Sequence, residues 1–222
     1  MMPTILEHYD PPTTPWLDAL YVDENMIALN KQSGLLSVPG KKASHSDCIT
    51  SRAKDTYGRV FAVHRLDMDT SGIILLARTK AALTALSQQF EKRLVQKSYI
   101  ARLDGLVRED KGTINLPLIC DWPNRPLQKI DHDVGKEAIT HYHVLEREDI
   151  GITRVAFYPL TGRSHQLRVH AKAMGHPILG DRMYADLAAQ KKAPRLQLHA
   201  ERLSIILPGE DEPTEFVSPA PF

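Results

Sequence analysis

Strand-length apolar segments recur along most of this chain, separated by turns of a few residues. That spacing restricts the fold more than any other feature. "LDALYVDENMIALNKQSGLLSVPG" (17–40) reads as two short strands about an Asp-Glu-Asn turn, ending in a Gly/Ser/Pro loop. Residues 72–77 and 97–107 read as strands, and 113–131, with three prolines, as a strand broken by a long loop. Residues 138–148 and 152–160 form a hairpin pattern across Asp149-Ile150-Gly151, and 196–207 a final strand pair. Helical periodicity is confined to three segments. Residues 46–57 have Ser46 or Asp47 as the cap candidate. Residues 79–94 place Leu83, Leu86, Phe90 and Leu94 at three- and four-residue steps behind Thr79 as cap. Residues 164–175 run from Ser164 as N-cap to Gly175 as stop. The expectation is an α+β fold, a mixed and mostly antiparallel sheet with a few flanking helices. Residues 1–16, rich in Pro and Thr, read as an extended arm, and 17–222 as a single domain, since no linker between independent domains is visible.

The 222 residues suffice for a substantial core, and 42% apolar with 25% charged residues is ordinary for a soluble protein. No apolar run reaches membrane-spanning length, and "MMPTILEHYDPPTTPW" lacks the basic and apolar regions of a signal peptide. Cys48 and Cys120 lie far apart and form no CxxC, as expected of thiols in a reducing compartment. These features together predict a cytoplasmic location. The net charge of +1 does not announce a nucleic-acid partner, although a balanced total can conceal a basic groove.

Three glycine-containing loops concentrate functional groups: "NKQSGLLSVPG" (30–40), "HRLDMDTSG" (64–72) and "PLTGRSHQLRVHAKAMGHPILGDRMY" (159–184). The second places His64, Arg65 and Asp67 directly before a continuously apolar strand. A solvated turn has no need of that cluster, nor of Arg163, His165, Arg168 and His170 on one short segment. Asp67 can act as nucleophile or base in a partly dry site only if it stays ionised. Desolvation raises a carboxyl pKa and a nearby arginine reverses the shift; Arg65, Arg163 and Arg168 are the candidates. A structural ion pair is the rival role for Asp67. Ten histidines invite a metal, but His165 and His170 are five apart, and there is no HExxH and no Cys/His ligand set. The absence of a P-loop, a GxGxxG and a GxSxG removes support for phosphate-cradled cofactors and for a serine hydrolase.

These segments, together with "KSYIA" (97–101) and "LQLHAERL" (196–203), resemble the motifs of the RluA-type pseudouridine synthases in that family's order. The matching patterns are NKPSGLL, with Gln32 here in place of proline, then HRLDxxTSG, Lys-x-Tyr, TGRxHQLRVH…GHPIxGDxxY and LHAxxL. Within the family the chain is similar to the short members of dual specificity that act on 23S rRNA and tRNA and have no S4 domain. The resemblance implies the pseudouridine synthase fold, a curved sheet with a central RNA-binding cleft. It also implies isomerisation of uridine by glycosidic cleavage, base rotation and C–C bond formation. Asp67, Tyr99 and Arg168 would be catalytic: the carboxylate facing the ribose, the ring on the target base, and the partner keeping Asp67 ionised. Arg65, His64, Arg163, His165, Lys97 and Leu198 would bind substrate, with Arg65 entering the space left by the flipped nucleotide. Lys31, Lys41, Lys42, Lys129, Lys172 and Arg182 join Arg163 as candidates for phosphate contacts. No cofactor, metal, membrane or obligatory protein partner is implied; the partners are 23S rRNA and tRNA stem-loops. The same chemistry on another uridine, or a non-catalytic RNA-binding protein on the same fold, are the rival functions.

Overall fold

In the computed structural model, which describes residues 9–148 and 151–222, the chain forms the expected α+β fold. The elements begin with β1 (Ala19–Val22), β2 (Met26–Lys31), α1 (Ile49–Tyr57), β3 (Phe61–Ala62), β4 (Ser71–Ala77) and α2 (Lys80–Glu91). Next come β5 (Gln96–Asp104), β6 (Lys111–Asn115), β7 (Leu118–Cys120), β8 (Gln128–Ile130), β9 (Ile139–Glu148) and β10 (Ile152–Pro159). The chain finishes with α3 (Gln166–Ala173), α4 (Leu187–Lys191), β11 (Leu198–Ile206) and β12 (Pro213–Val217). Two compact units are present. The first holds the chain up to Val95 together with Leu203–Ser218, and the second holds Gln96–Arg202 with Pro219–Phe222. Strand β11 has residues in both.

In the first unit β2 pairs antiparallel with β1 and with β4, and β3 pairs with β4. All seven residues of β4 are buried, as its unbroken apolar run requires. On one face, Ile73, Leu75 and Ala77 join Met26, Ala28, Leu86, Ile205 and Phe216 in one core cluster. Thr79 caps α2 by accepting the Ala82 N–H (3.0 Å). The helix stops three residues short of the periodic pattern because Arg93 adopts φ 59°, which leaves Leu94 62% exposed. The cap of α1 is Cys48 rather than Ser46 or Asp47. Ser51 N donates to Cys48 Sγ and Cys48 N to Ser51 Oγ, while Asp47 spends its carboxylate on the fully buried Arg52 guanidinium (2.8 Å twice). Of the N-terminal arm, residues 1–8 lie outside the described residues. Tyr9 is tied down: its hydroxyl donates to Asp47 O (2.8 Å) and accepts from Leu36 N (3.0 Å).

In the second unit β10 lies between β5 and β9, and β6 pairs with β9, all antiparallel. The turn expected between β9 and β10 falls largely on residues 149–150, outside the described residues. The proline-rich stretch resolves into β6 and a small separate hairpin, β7 with β8. Ala101, Leu103, Phe157, Leu167, Ile178 and Leu198 form this unit's main core. The expected final strand pair is one strand, β11, and the further strand β12 follows a turn at Gly209 (φ 92°) that sequence periodicity did not reveal. Ser164 does not cap α3. His165 takes that place at φ 54° without a side-chain bond, because the Gln166 amide closes the turn by accepting the Arg163 N–H (3.0 Å).

Candidate active site

The loop between β3 and β4 presents Arg65 exposed and Asp67 half-buried, on either side of the buried Leu66. Its backbone is gripped by the loop that follows β2. Ser37 Oγ accepts from Leu66 N (3.0 Å) and donates to Leu66 O (2.7 Å). Ser33 Oγ donates to Asp69 O (2.6 Å), and Gly34 N donates to Met68 O (2.9 Å). Lys31 completes the grip. Its ammonium donates to Gln32 O (2.8 Å), Leu35 O (2.7 Å) and Met68 O (2.9 Å). Lys31 is fully buried, so the expectation of a phosphate contact is overturned: a buried charge is stabilised here by carbonyl dipoles. Both main-chain groups of Leu66, the residue before Asp67, are thus fixed by one hydroxyl. Position 37 lies within the loop singled out in the sequence, but nothing in its pattern reveals that contact. His64 is held as well. Its Nε2 accepts from Leu75 N (3.0 Å) and its ring stacks on Phe90 at 4.6 Å, which anchors the start of the loop to β4 and α2.

In the second unit Lys97 and Tyr99 alternate along β5 and so share a face; both are half-buried. Burial lowers the Lys97 pKa, because desolvation disfavours the ammonium. Arg168 lies on α3, 2% exposed, and makes a two-pronged pair with Asp181, 1% exposed. Nε donates to Oδ2 (2.8 Å) and Nη2 to Oδ1 (2.7 Å). Asp181 Oδ1 also accepts from Met183 N (2.9 Å) and Tyr184 N (3.2 Å). Gly180 permits this turn: it sits at φ 72°, and a Cβ there would collide with Arg195 O. The sequence reading gave Arg168 one carboxylate, Asp67, and missed Asp181. The available signal was the acidic residue of "GHPILGDRMY", thirteen residues on, in a segment otherwise treated as a recognition pattern.

The rest of this segment is held by side chains. Gln166 accepts from Thr161 Oγ1 (2.8 Å) and Arg163 N (3.0 Å) and donates to Ile139 O (3.1 Å) and Thr140 Oγ1 (3.0 Å). His170 Nδ1 meets Thr140 Oγ1 (2.9 Å) and its Nε2 meets Leu116 O (3.1 Å). Burial lowers the His170 pKa, against the smaller opposing effect of the Leu116 carbonyl. His165 Nδ1 meets Tyr184 Oη (2.7 Å), which accepts from Gln128 N (2.9 Å). Arg163 is half-buried, with Nε donating to Glu137 O (2.9 Å). Leu198 is 3% exposed and packed in the core, with little surface to offer a substrate. The exposed Lys129 lies 3.5 Å from Asp131.

The first unit therefore offers a half-buried carboxylate on a loop fixed at its backbone; the second, by itself, offers a buried guanidinium, a phenol and a desolvated ammonium. Known proteins show which family the chain belongs to. The family model described as "RNA pseudouridylate synthase" matches residues 25–173. The protein named "Dual-specificity RNA pseudouridine synthase RluA" of Salmonella typhimurium is 52% identical, over 98% of this chain and 99% of its own. Its namesake in Escherichia coli strain K12 is 50% identical over the same shares of both chains. Among solved structures, "Human RNA Pseudouridylate Synthase Domain Containing 1" superposes with a TM-score of 0.78 at 29% identity, covering 96% of this chain and 87% of that one. This chain belongs to the RNA pseudouridylate synthase family, the isomerases that turn uridine in RNA into pseudouridine.

Proposed function

We propose that this enzyme acts in the cytoplasm on uridines in loops of both 23S rRNA and tRNA, the latter in the anticodon stem-loop. The observation that carries this reading is the 52% identity, over nearly the full length of both chains, to a relative whose name states dual specificity. We assign the carboxylate role to Asp67, which faces the ribose of a flipped nucleotide. Flipping is required because the anomeric carbon of a stacked nucleotide cannot reach a half-buried side chain. In the reaction the N1–C1′ bond breaks, the uracil turns while held, and C5 bonds to C1′. The proton leaves C5 and N1 gains one, so no redox partner is needed. Asp67 serves either by attacking C1′ or by removing the 2′ proton, and both demand a fixed, ionised carboxylate.

Tyr99 stacks on the turning base and supplies its hydroxyl for the late proton transfer. Arg168 acts on the same nucleotide as the counter-charge to the reacting carboxylate, oriented by Asp181. The exposed Arg65 fills the gap left in the RNA, and Arg163, His165 and Lys97 contact its backbone. Residues 17–222 thereby work as one catalytic domain. Purified enzyme incubated separately with a tRNA anticodon stem-loop and a 23S rRNA stem-loop, followed by mapping of pseudouridine, tests the assignment. Conversion of a uridine in each is expected. Conversion of only one RNA overturns the dual specificity, and conversion of neither overturns the choice of targets.

A further inference from the structure

Trp122 is one of only two tryptophans in the chain, and it is 65% exposed. It stands at the tip of the β7/β8 hairpin, in a single 3₁₀ turn, Trp122–Asn124. The frame beneath it is stiff. Asp121 N donates to Leu127 O (2.9 Å), Asn124 N to Asp121 O (2.9 Å), Leu127 N to Asn124 O (3.0 Å), and Asn124 Nδ2 to Asp121 Oδ2 (2.8 Å). A large apolar ring is thus held out in water by a built support, forgoing the gain of burial. The exposed Arg125 lays its guanidinium over that ring, 4.5 Å from the centroid. Arg125 makes no ion pair among the described residues, and the carboxylates flanking the hairpin have other contacts. Asp121 serves Asn124; Asp131 accepts from Asp133 N and Val134 N (3.1 Å each) and faces Lys129. The hairpin is also tied to the segment that carries Arg168. Gln128 N donates to Tyr184 Oη, which also meets His165 Nδ1.

We propose that Trp122 and Arg125 form a stacking site for an unpaired nucleobase of the RNA substrate, separate from the uridine that is isomerised. An open indole offers a face to any base, and an uncompensated guanidinium beside it meets the flanking phosphate. RNA loops supply both groups together. The proposal rests on the RNA-modifying function, and the test separates the two. A Trp16→Phe variant keeps an aromatic ring at position 16 and leaves Trp122 as the sole tryptophan. Its emission is followed while a stem-loop, or a fully paired duplex of equal length, is titrated in. Binding is measured in parallel by anisotropy of the labelled RNA.

The stacking site predicts quenching that saturates together with stem-loop binding and is much weaker with the duplex. Trp122→Ala should raise the stem-loop Kd about tenfold, as loss of a base–aromatic stack does, with an unchanged salt slope. Arg125→Met should make the slope of log affinity against log salt shallower by about one. If the enzyme converts the stem-loop while Trp122 emission does not respond, or responds equally to the duplex, the stacking site is overturned. The hairpin tip is then left to a protein partner. If the unmodified enzyme converts no RNA, the function beneath the proposal fails instead.

Discussion

The Asp67 loop and the Thr161–His170 segment are both held by side chains, but the holding side chains sit in different places. Around Asp67 the side chains of Lys31, Ser33 and Ser37 reach main-chain groups of residues 66–69. The backbone path on either side of Asp67 is fixed by these contacts. Around Arg168 main-chain groups are held too, by Gln166, His170 and Asp181, but the segment's own side chains are also bonded to one another and to neighbours: Arg168 to Asp181, Gln166 to Thr161 and Thr140, His170 to Thr140. There the functional group is itself part of the lattice. The two designs also handle buried charge differently. Lys31 is met by neutral carbonyls, whereas Arg168 is met by a carboxylate. Substitutions in the first region should therefore cost activity through a displaced loop, and those in the second should cost stability first.

The largest effect on stability is expected for Asp181→Asn. Removing one partner of a buried pair leaves an uncompensated charge and costs about 3–5 kcal/mol, readable from the midpoint of urea unfolding. Replacing both partners, Arg168→Met with Asp181→Leu, should recover most of that stability without recovering activity. A double variant as unstable as the single one would show that the buried charge is not what destabilises Asp181→Asn. Lys31→Met should come next, at about 1–3 kcal/mol, the range for buried polar groups stripped of a partner. Its turnover at saturating RNA should also fall. Ser37→Ala should cost less stability than Lys31→Met yet slow single turnover ten- to a hundredfold, on the order expected when a reacting group shifts by a fraction of an ångström to an ångström, with RNA affinity retained. Wild-type turnover in Ser37→Ala would remove the contrast between the two regions.

The smallest effect concerns His170. Its pKa in the folded state lies below the ordinary value of 6.5, so below that pH the unfolded chain binds the proton more readily than the folded one. The stability it confers as a neutral ring is present above pH 6.5 and is lost as pH falls toward its folded pKa. His170→Gln should flatten the decline of unfolding free energy between pH 7 and pH 5 relative to the wild type. An identical decline in both proteins would place the acid sensitivity elsewhere.

Much of this architecture is legible in the sequence because it depends on local pattern. The unbroken apolar run of β4, the Thr79 cap and the steps of Leu83, Leu86 and Phe90 are set by neighbours along the chain. What the pattern misses is tertiary. Arg93 ends α2 through its own backbone conformation, which periodicity does not see. Cys48 caps α1 because Arg52 has claimed Asp47, and His165 precedes α3 because Gln166 has closed the turn. The site divides in the same way. Asp67 and Arg168 are conspicuous as chemical groups in unusual company, whereas Tyr99 stands out only through the motif resemblance, which implies the roles of all three. Ser37 and Asp181 are ordinary residue types whose importance lies in what they touch, and Lys31 reads as a surface cation until its burial is known.

Asp67 is proposed as the carboxylate that the Lys31–Ser37 loop holds in place for turnover. A single-turnover assay of Asp67→Asn, with the variant confirmed free of deamidation, tests this most directly. Asn keeps the size and shape of the side chain but can neither attack C1′ nor remove a proton. The expected result is wild-type affinity for the stem-loop with no pseudouridine formed. Pseudouridine appearing at the wild-type rate would contradict the assignment.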